Sequence, residues 1–165
     1  MDNTAAALLR QLAARGAPAL RPANAAVAIL LHEDGRYIMQ LRDPKIEIFY
    51  PGHWGCFGGA IDPGEDAAAA LRRELREELE LEMGAASRFT QFEFDFSSLA
   101  LGKVSRAYYE VRVPDSAFQR CVLHEGQDVK AFAGAELLAN QRVTPYDSFA
   151  IWMHLMRGRH ATSRE

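Results

Sequence analysis

Apolar and polar positions follow different periods in different parts of this chain. Residues 25–31 (Ala-Ala-Val-Ala-Ile-Leu-Leu) form an unbroken apolar run, the mark of a strand buried on both faces. Asp34-Gly35 is a hairpin signal, and residues 37–41 return as the second strand. Phe92, Phe94 and Phe96 alternate with Glu93 and Asp95, a period-two strand with one wet face. Residues 103–113 and 129–132 read as further strands, with a short one around 54–57. Helical spacing runs over residues 65–81, with Leu71, Leu75 and Leu79 on one side. Residues 4–15, rich in Ala and Leu, predict an N-terminal helix closed by Gly16 and Pro18. A short helix follows at 134–139. Pro145 opens the last one, with Tyr146, Phe149, Ala150 and Met153 on one stripe.

These elements predict an α/β fold, a mixed β-sheet sandwiched between α-helices. One domain is expected from residue 22 to 158, with a helical arm at 1–21 and a short tail at 159–165. The length of 165 residues suits one core, and 48% hydrophobic with 25% charged residues is the composition of a folded globular protein. A net charge of −3 excludes a sequence-independent nucleic-acid binder, which must neutralise many phosphates. A small phosphate ligand needs only a local cluster of charge. No apolar run approaches the roughly 20 residues that span a bilayer. The N-terminus lacks the basic-then-apolar pattern of a secretory signal, so the expected compartment is the cytoplasm. Cys56 and Cys121 are expected as free thiols. The N-terminal helix and the aromatic C-terminal helix offer surfaces for a homodimer.

The chemistry concentrates between Trp54 and Leu81 (WGCFGGAIDPGEDAAAALRRELREELEL). Glu74, Glu77 and Glu78 have i, i+3, i+4 spacing and share one side of the helix. At about 100° per residue, Glu77 and Glu78 lie about 60° and 40° to either side of Glu74. Leu71, Leu75 and Leu79 fall at about 60°, 100° and 140° on the same wheel. A solvated charged face would point away from the leucines; here Glu78 borders them. Carboxylates crowded at the edge of a core repel one another and resist desolvation. A hard divalent cation relieves both, and oxygen ligands suit Mg²⁺ or Mn²⁺. Upstream, Gly58-Gly59 lets a ligand approach the main chain. Asp62-Pro63-Gly64-Glu65 is a turn into the helix, with Asp62 and Glu65 spaced as a capping box.

This stretch resembles the Nudix box, G-x5-E-x7-R-E-U-x-E-E-x-G-U, where U is a bulky apolar residue. Gly59, Glu65, Arg73, Glu74, Leu75, Glu77, Glu78 and Leu81 match in register. The single departure is Glu80, where the pattern has glycine. Glutamate tolerates the left-handed conformation of a helix C-cap poorly, so the helix is expected to continue to Gly84. The flanking strand order also resembles the Nudix fold over about residues 24–157.

The resemblance implies a pyrophosphohydrolase that cuts a phosphoanhydride bond with water. Glu77 and Glu78 would be the principal metal ligands, with the Gly59 carbonyl completing the shell. Glu74 would be a further ligand or the base that activates water. Arg73 would pair with nearby carboxylates and fix their rotamers. Glu125 is the candidate for an acidic residue recruited from beyond the box, with Asp128 as its competitor. Arg42 and Arg106 are candidates for phosphate contact, since the planar guanidinium binds oxygens in pairs. Phe49, Tyr50 and Trp54 are candidates to stack on a base or sugar. The expected substrate is a nucleoside diphosphate linked to another moiety, such as an NDP-sugar or ADP-ribose, with a nucleoside monophosphate released. Nucleoside triphosphates and dinucleoside polyphosphates remain open, as does a non-catalytic domain that senses a nucleotide. An isoprenoid diphosphate isomerase would need a catalytic cysteine, which Cys56 and Cys121 are poorly placed to supply.

Overall fold

The computed structural model describes residues 21–139 and 142–160. The helical arm expected at 1–21 lies, up to residue 20, outside the described residues, as does most of the expected tail. The first strand, β1 (Ala25–His32), turns through Glu33 to Arg36 into the antiparallel β2 (Tyr37–Leu41). Next come β3 (Trp54–Gly55), β4 (Phe57–Ala60), the helix α1 (Ala67–Leu79) and the long hairpin of β5 (Ala86–Asp95) and β6 (Lys103–Val113). A single turn, α2 (Asp115–Phe118), precedes β7 (Asp128–Phe132), α3 (Gly134–Ala139) and α4 (Pro145–His160).

The mixed sheet explains where the site lies. β1 pairs with β6 in parallel along the whole length of β1, from Ala25↔Arg106 to His32↔Val113. That leaves one edge of β1 for two partners: β2 takes the end at Leu30 and Leu31, and β4 takes Ala25 to Ala28. β7 likewise occupies one edge of β2, so β1 and β3 share the other. β1 and β2 therefore diverge as a fork, and residues 54–60 fill it, first paired to β2 and then to β1. The single strand expected around 54–57 is two short strands because its partner changes at Cys56.

Every residue of β1 is buried, as the apolar run 25–31 demands, and the burial extends to His32 at its end. On one face Ala26, Ala28 and Leu30 meet Leu71, Leu75 and Leu79 of α1; on the other Val27, Ile29 and Leu31 pack with Ala150 and Ile151 of α4. The buried stripe of α4 differs from the one expected. It runs Asp147, Ala150, Ile151, His154, while Phe149 is exposed. Two polar residues face inward because each finds buried partners: His154 Nδ1 lies 2.8 Å from Tyr37 OH, and Asp147 accepts hydrogen bonds described below. Among the described residues no helix is long and apolar enough to cross a membrane.

At the far end of β1, buried His32 lies between Asp34 (Nδ1–Oδ1 2.9 Å) and Asp115 (Nε2–Oδ1 3.1 Å). The bond to Asp34, seconded by Asp115, raises the imidazole pKa above 6.5 despite the opposing effect of burial. A group stabilised in its protonated form contributes stability at low pH and loses it as pH rises past the folded-state value. An NMR titration of the His32 ring should place its midpoint above 6.5, and Asp34→Asn should lower it. A midpoint unmoved by Asp34→Asn would refute this account.

Candidate active site

The helix α1 begins two residues later than its pattern suggests. Asp66, not Asp62, is its N-cap, accepting from the Ala68 and Ala69 N–H groups at 2.9 Å. Asp62 instead closes the preceding turn, where its N–H donates to Glu65 Oε2 at 3.2 Å and its carbonyl accepts from Glu65 N–H at 3.0 Å. The same Glu65 carboxylate is also a partner for Arg73.

The other end also departs from expectation. α1 stops at Leu79, and Glu80 adopts the left-handed conformation itself (φ 53°, ψ 26°) rather than extending the helix to Gly84. The surroundings offset the strain. Glu80 N–H reaches Arg76 O at 3.0 Å, while the N–H groups of Val122 and His124 cap Leu79 O and Glu78 O at 3.1 and 2.9 Å. His124 Nε2 also lies 2.7 Å from Glu80 Oε1. These contacts satisfy carbonyls that a continuing helix would have satisfied, and they bring the 121–127 loop to the carboxylates.

Arg73 is the hub of the acidic cluster. Its Nε and Nη2 grip Glu65 as a fork at 3.2 and 3.0 Å, and Nη1 donates to Glu74 Oε1 at 2.8 Å and to Glu77 Oε2 at 3.3 Å. Nη2 also donates to the Ala60 carbonyl at 3.1 Å, tying the helix to the end of β4. The Arg73 hydrogen bond holds the Glu65 carboxyl below its usual range.

The three helix glutamates sit in graded environments, as the wheel predicts. Glu77 is exposed, Glu74 is half-buried, and Glu78 is buried with 5% of its surface exposed. Glu78 Oε2 accepts the Gly58 N–H at 3.0 Å, and Oε1 has a long contact from Gln40 Nε2 at 3.4 Å. Burial, reinforced by the charges of Glu125 and Glu74, pushes the Glu78 carboxyl up to about 8. Burial also raises Glu74, against the pull of Arg73. Gly59 leaves room for it: a Cβ there would lie 2.6 Å from the Glu74 carboxyl atoms, which would have to turn away.

Among the described residues no three His, Cys, Asp or Glu side chains converge into a ready-made cation cage. The donor set nevertheless fits a hard cation. Carboxylates whose charges oppose one another's ionisation line one helix edge beside the Gly59 main chain, and a hard divalent cation would relieve that repulsion. Glu125 is exposed, yet its charge acts on both Glu74 and Glu78. Its competitor Asp128 turns to the Val129 N–H at 2.8 Å. Gly126 explains how the loop comes so close: at φ +92° it passes against the Leu41 carbonyl, where a Cβ would lie 2.9 Å from the oxygen.

Beside the glutamates lies a cleft of about 390 Å³, lined by Gly58 and Gly59 at one side and by Arg42, Phe49, Tyr50 and Arg106 among others. Four of the five expected substrate-contact residues thus share one cavity. The fifth, Trp54, does not line it; partly buried, its ring packs edge-on to Phe132 at 4.8 Å, against the core. Arg42 is braced by Nε donating to Phe49 O at 3.0 Å. The Arg106 guanidinium lies 4.4 Å above the Tyr146 ring.

Sequence reasoning missed Arg21, Phe94, Phe96 and Tyr146 as further parts of the wall, and Gln40 beside Glu78. Gln40 carried a signal, a lone amide in the buried run YIMQL. Phe94 and Phe96 carried none, since an alternating strand does not reveal what its apolar face covers. Both cysteines are free and neither lines the cleft: Cys56 is buried with its thiol pushed up by burial, and Cys121 Sγ donates to Ala117 O. An isomerase cysteine is therefore not supplied.

Comparison with known proteins bears on the family and the fold. The family model of the NUDIX domain matches residues 21–153. A nucleoside triphosphatase, NudI of Escherichia coli, is 43% identical over 53 residues, a segment that is 32% of this chain and 37% of that protein. The chain thus matches little more than a third of the length of this curated relative. The MutT protein of Methanosarcina mazei superposes with a TM-score of 0.68 at 17% identity, covering 86% of this chain and 98% of the other. The dihydroneopterin triphosphate pyrophosphohydrolase of E. coli gives 0.65 at 17% identity, covering 85% and 99%. The NUDIX domain of NrtR from Shewanella oneidensis, solved with ADP-ribose, gives 0.64 at 19%, covering 90% and 97%. At such identities the likeness to solved structures concerns the fold alone.

Proposed function

The chain belongs to the Nudix family, and on that premise we propose that it is a divalent-metal-dependent pyrophosphohydrolase acting on a nucleotide-type small molecule. The observation that carries this reading is the buried Glu78 carboxylate, held by Gly58 N–H beside Glu74 and Gly59 at the mouth of the cleft. Glu77 and Glu78 would hold Mg²⁺ or Mn²⁺ with the Gly59 carbonyl, and Glu74 would be a further ligand or the general base. The metal, when bound, supplies charge neutralisation of the diphosphate and a lowered pKa for water. Arg73 fixes the rotamers of Glu65, Glu74 and Glu77. Glu125 stands close enough to act electrostatically on the same centre. Arg42 and Arg106 would contact phosphate oxygens, and Phe49 and Tyr50 would flank a base or sugar.

The leading substrate is a nucleoside diphosphate linked to a further group, since the cleft is within the size range of small-molecule sites and has both arginines and aromatic walls. A second reading, a nucleoside triphosphate, is favoured by the segment similar to NudI. Products separate them. A hydrolysis screen with Mg²⁺ and Mn²⁺ across NDP-sugars, ADP-ribose, dinucleoside polyphosphates and (d)NTPs, read by mass, should give a metal-dependent nucleoside monophosphate. Its partner product is a sugar phosphate in the first reading and pyrophosphate in the second. Nucleotide binding without turnover of any compound would overturn the enzymatic reading in favour of a sensor.

A further inference from the structure

Asp147 lies at the first turn of α4, only 1% exposed, and its carboxylate accepts four hydrogen bonds from groups on other strands and at the helix start. Its two oxygens have different clients. Oδ1 accepts from Tyr108 OH at 2.8 Å and Arg106 Nη2 at 3.3 Å. Oδ2 accepts from Thr144 Oγ1 at 2.7 Å and from the Cys56 N–H at 2.9 Å.

The Cys56 contact falls at a particular place. Cys56 is the residue between β3 and β4, where the strand leaves β2 and joins β1. At such a break the main chain leaves one sheet partner before joining the next, and a buried N–H without an acceptor is costly. Asp147 supplies the acceptor. Gly55 permits the approach, since a Cβ there would lie 3.2 Å from Asp147 Oδ2. Two residues further on, Gly58 holds Glu78, and Gly59 abuts Glu74. The Oδ2 side therefore sets the position of the glycine pair.

The Oδ1 side sets the wall of the cleft. Arg106 Nη2 is held by Asp147 and its Nε by Tyr108 OH at 3.0 Å, with the guanidinium face on Tyr146. The third nitrogen, Nη1, is left for the cleft that Arg106 lines.

Resting on the functional reading above, we propose that Asp147 is a positioning residue serving both halves of the site: through Oδ1 it orients Arg106 toward substrate, and through Oδ2 it fixes the strand break that places Gly58 and Gly59 against the glutamates. The two halves are separable with near-isosteric changes. Tyr108→Phe removes a partner from the Oδ1 side and frees Arg106 Nε. Thr144→Val removes a donor from the Oδ2 side, where Cys56 is held. Tyr108→Phe and Arg106→Lys should raise KM about tenfold with kcat within about twofold, the pattern of lost binding common to ground and transition states. Thr144→Val should lower kcat with KM little changed. Asp147→Asn should impair at least one arm, because the amide keeps one acceptor oxygen and turns a donor toward the donors of the other side. It should weaken the Arg106 contact in either orientation through the lost charge.

The test is steady-state kinetics on the best substrate of the screen, with ¹⁵N amide spectra of the full chain recorded alongside. In Asp147→Asn and Thr144→Val the Cys56, Gly58 and Gly59 amide signals should move, and in Arg106→Lys they should stay. Unchanged KM in both Arg106→Lys and Tyr108→Phe would overturn the Oδ1 arm. Unmoved glycine amides in Thr144→Val and in folded Asp147→Asn would overturn the Oδ2 arm, as would an unchanged kcat in both. Should Asp147→Asn not fold, the other three variants decide both arms. A wild type silent on the whole screen refutes the functional reading, and with it the Arg106 arm; the amide spectra then decide the strand-break arm alone.

Discussion

Glu78→Gln is expected to lose about a thousandfold in kcat, the scale of several kcal/mol of charge stabilisation supplied through a metal ligand, while the protein still folds. The substitution keeps the shape of a side chain that fills a buried slot between Gly58 and Gln40. The amide oxygen can still accept the Gly58 N–H. What it loses is the capacity for a negative charge, which burial and the charges of Glu125 and Glu74 oppose in the metal-free protein. The pH dependence has a definite sign. The folded-state pKa of about 8 exceeds the ordinary glutamate value of 4.5, so the native state binds the extra proton between them. Stability from this group is present below pH 4.5 and falls as pH rises toward 8. In chelator, the melting temperature of the wild type should therefore drop across that window, and Glu78→Gln should flatten the drop. Retained turnover in the variant would remove Glu78 from the centre; a variant that melts far below the wild type in chelator would show that its charge is structural.

Gly58→Ala should be the most destabilising single-methyl change in the site region, by about 3–5 kcal/mol. Two independent costs combine. Gly58 sits at φ +118°, a conformation that L side chains rarely adopt. The new Cβ would lie 2.9 Å from Val27 Cα and closer still to the Ala26 carbonyl oxygen. Both obstacles are backbone in the central strand β1, where no flexible side chain can give way. The change should part β4 from β1 at the Val27↔Gly58 register and release the Gly58 N–H from Glu78. Denaturant unfolding should show the midpoint falling with an unchanged slope, and kcat should fall with it. A loss below about 1 kcal/mol would mean that the strand pair shifts more freely than its burial implies. Gly59→Ala makes a useful contrast, since its obstacle is the Glu74 side chain, which can turn away. That variant should lose activity more than stability.

The strands and helices were largely readable along the chain because their signals are local. A seven-residue unbroken apolar run reads as a strand covered on both faces, and β1 is that. The position of Glu78 on the helical wheel, next to the leucines, already indicated a carboxylate at the edge of the core, and it is buried. The errors arose where a distant group decided the outcome. Glu80 ends α1 in a left-handed conformation because the Val122 and His124 N–H groups and the His124 ring arrive from 42–44 residues away. Trp54 was grouped with its aromatic neighbours Phe49 and Tyr50, but pairing with Leu41 and Val143 carries it against Phe132 and away from the cleft lining. Asp147 passed unnoticed because one acidic residue in a first helical turn has an ordinary local explanation, favourable interaction with the helix dipole.

The order of residues by itself determined the family, the α/β class and the acidic helix face, since each rests on spacing that survives in any conformation of the rest of the chain. Only the tertiary structure decided which aromatics face the cleft, which acidic residue beyond the box comes near the glutamates, and what holds the strand break at Cys56. These depend on the fork between β1 and β2. Strand pairing across that fork joins segments far apart in the chain, and a partner's identity leaves no periodic trace in either segment.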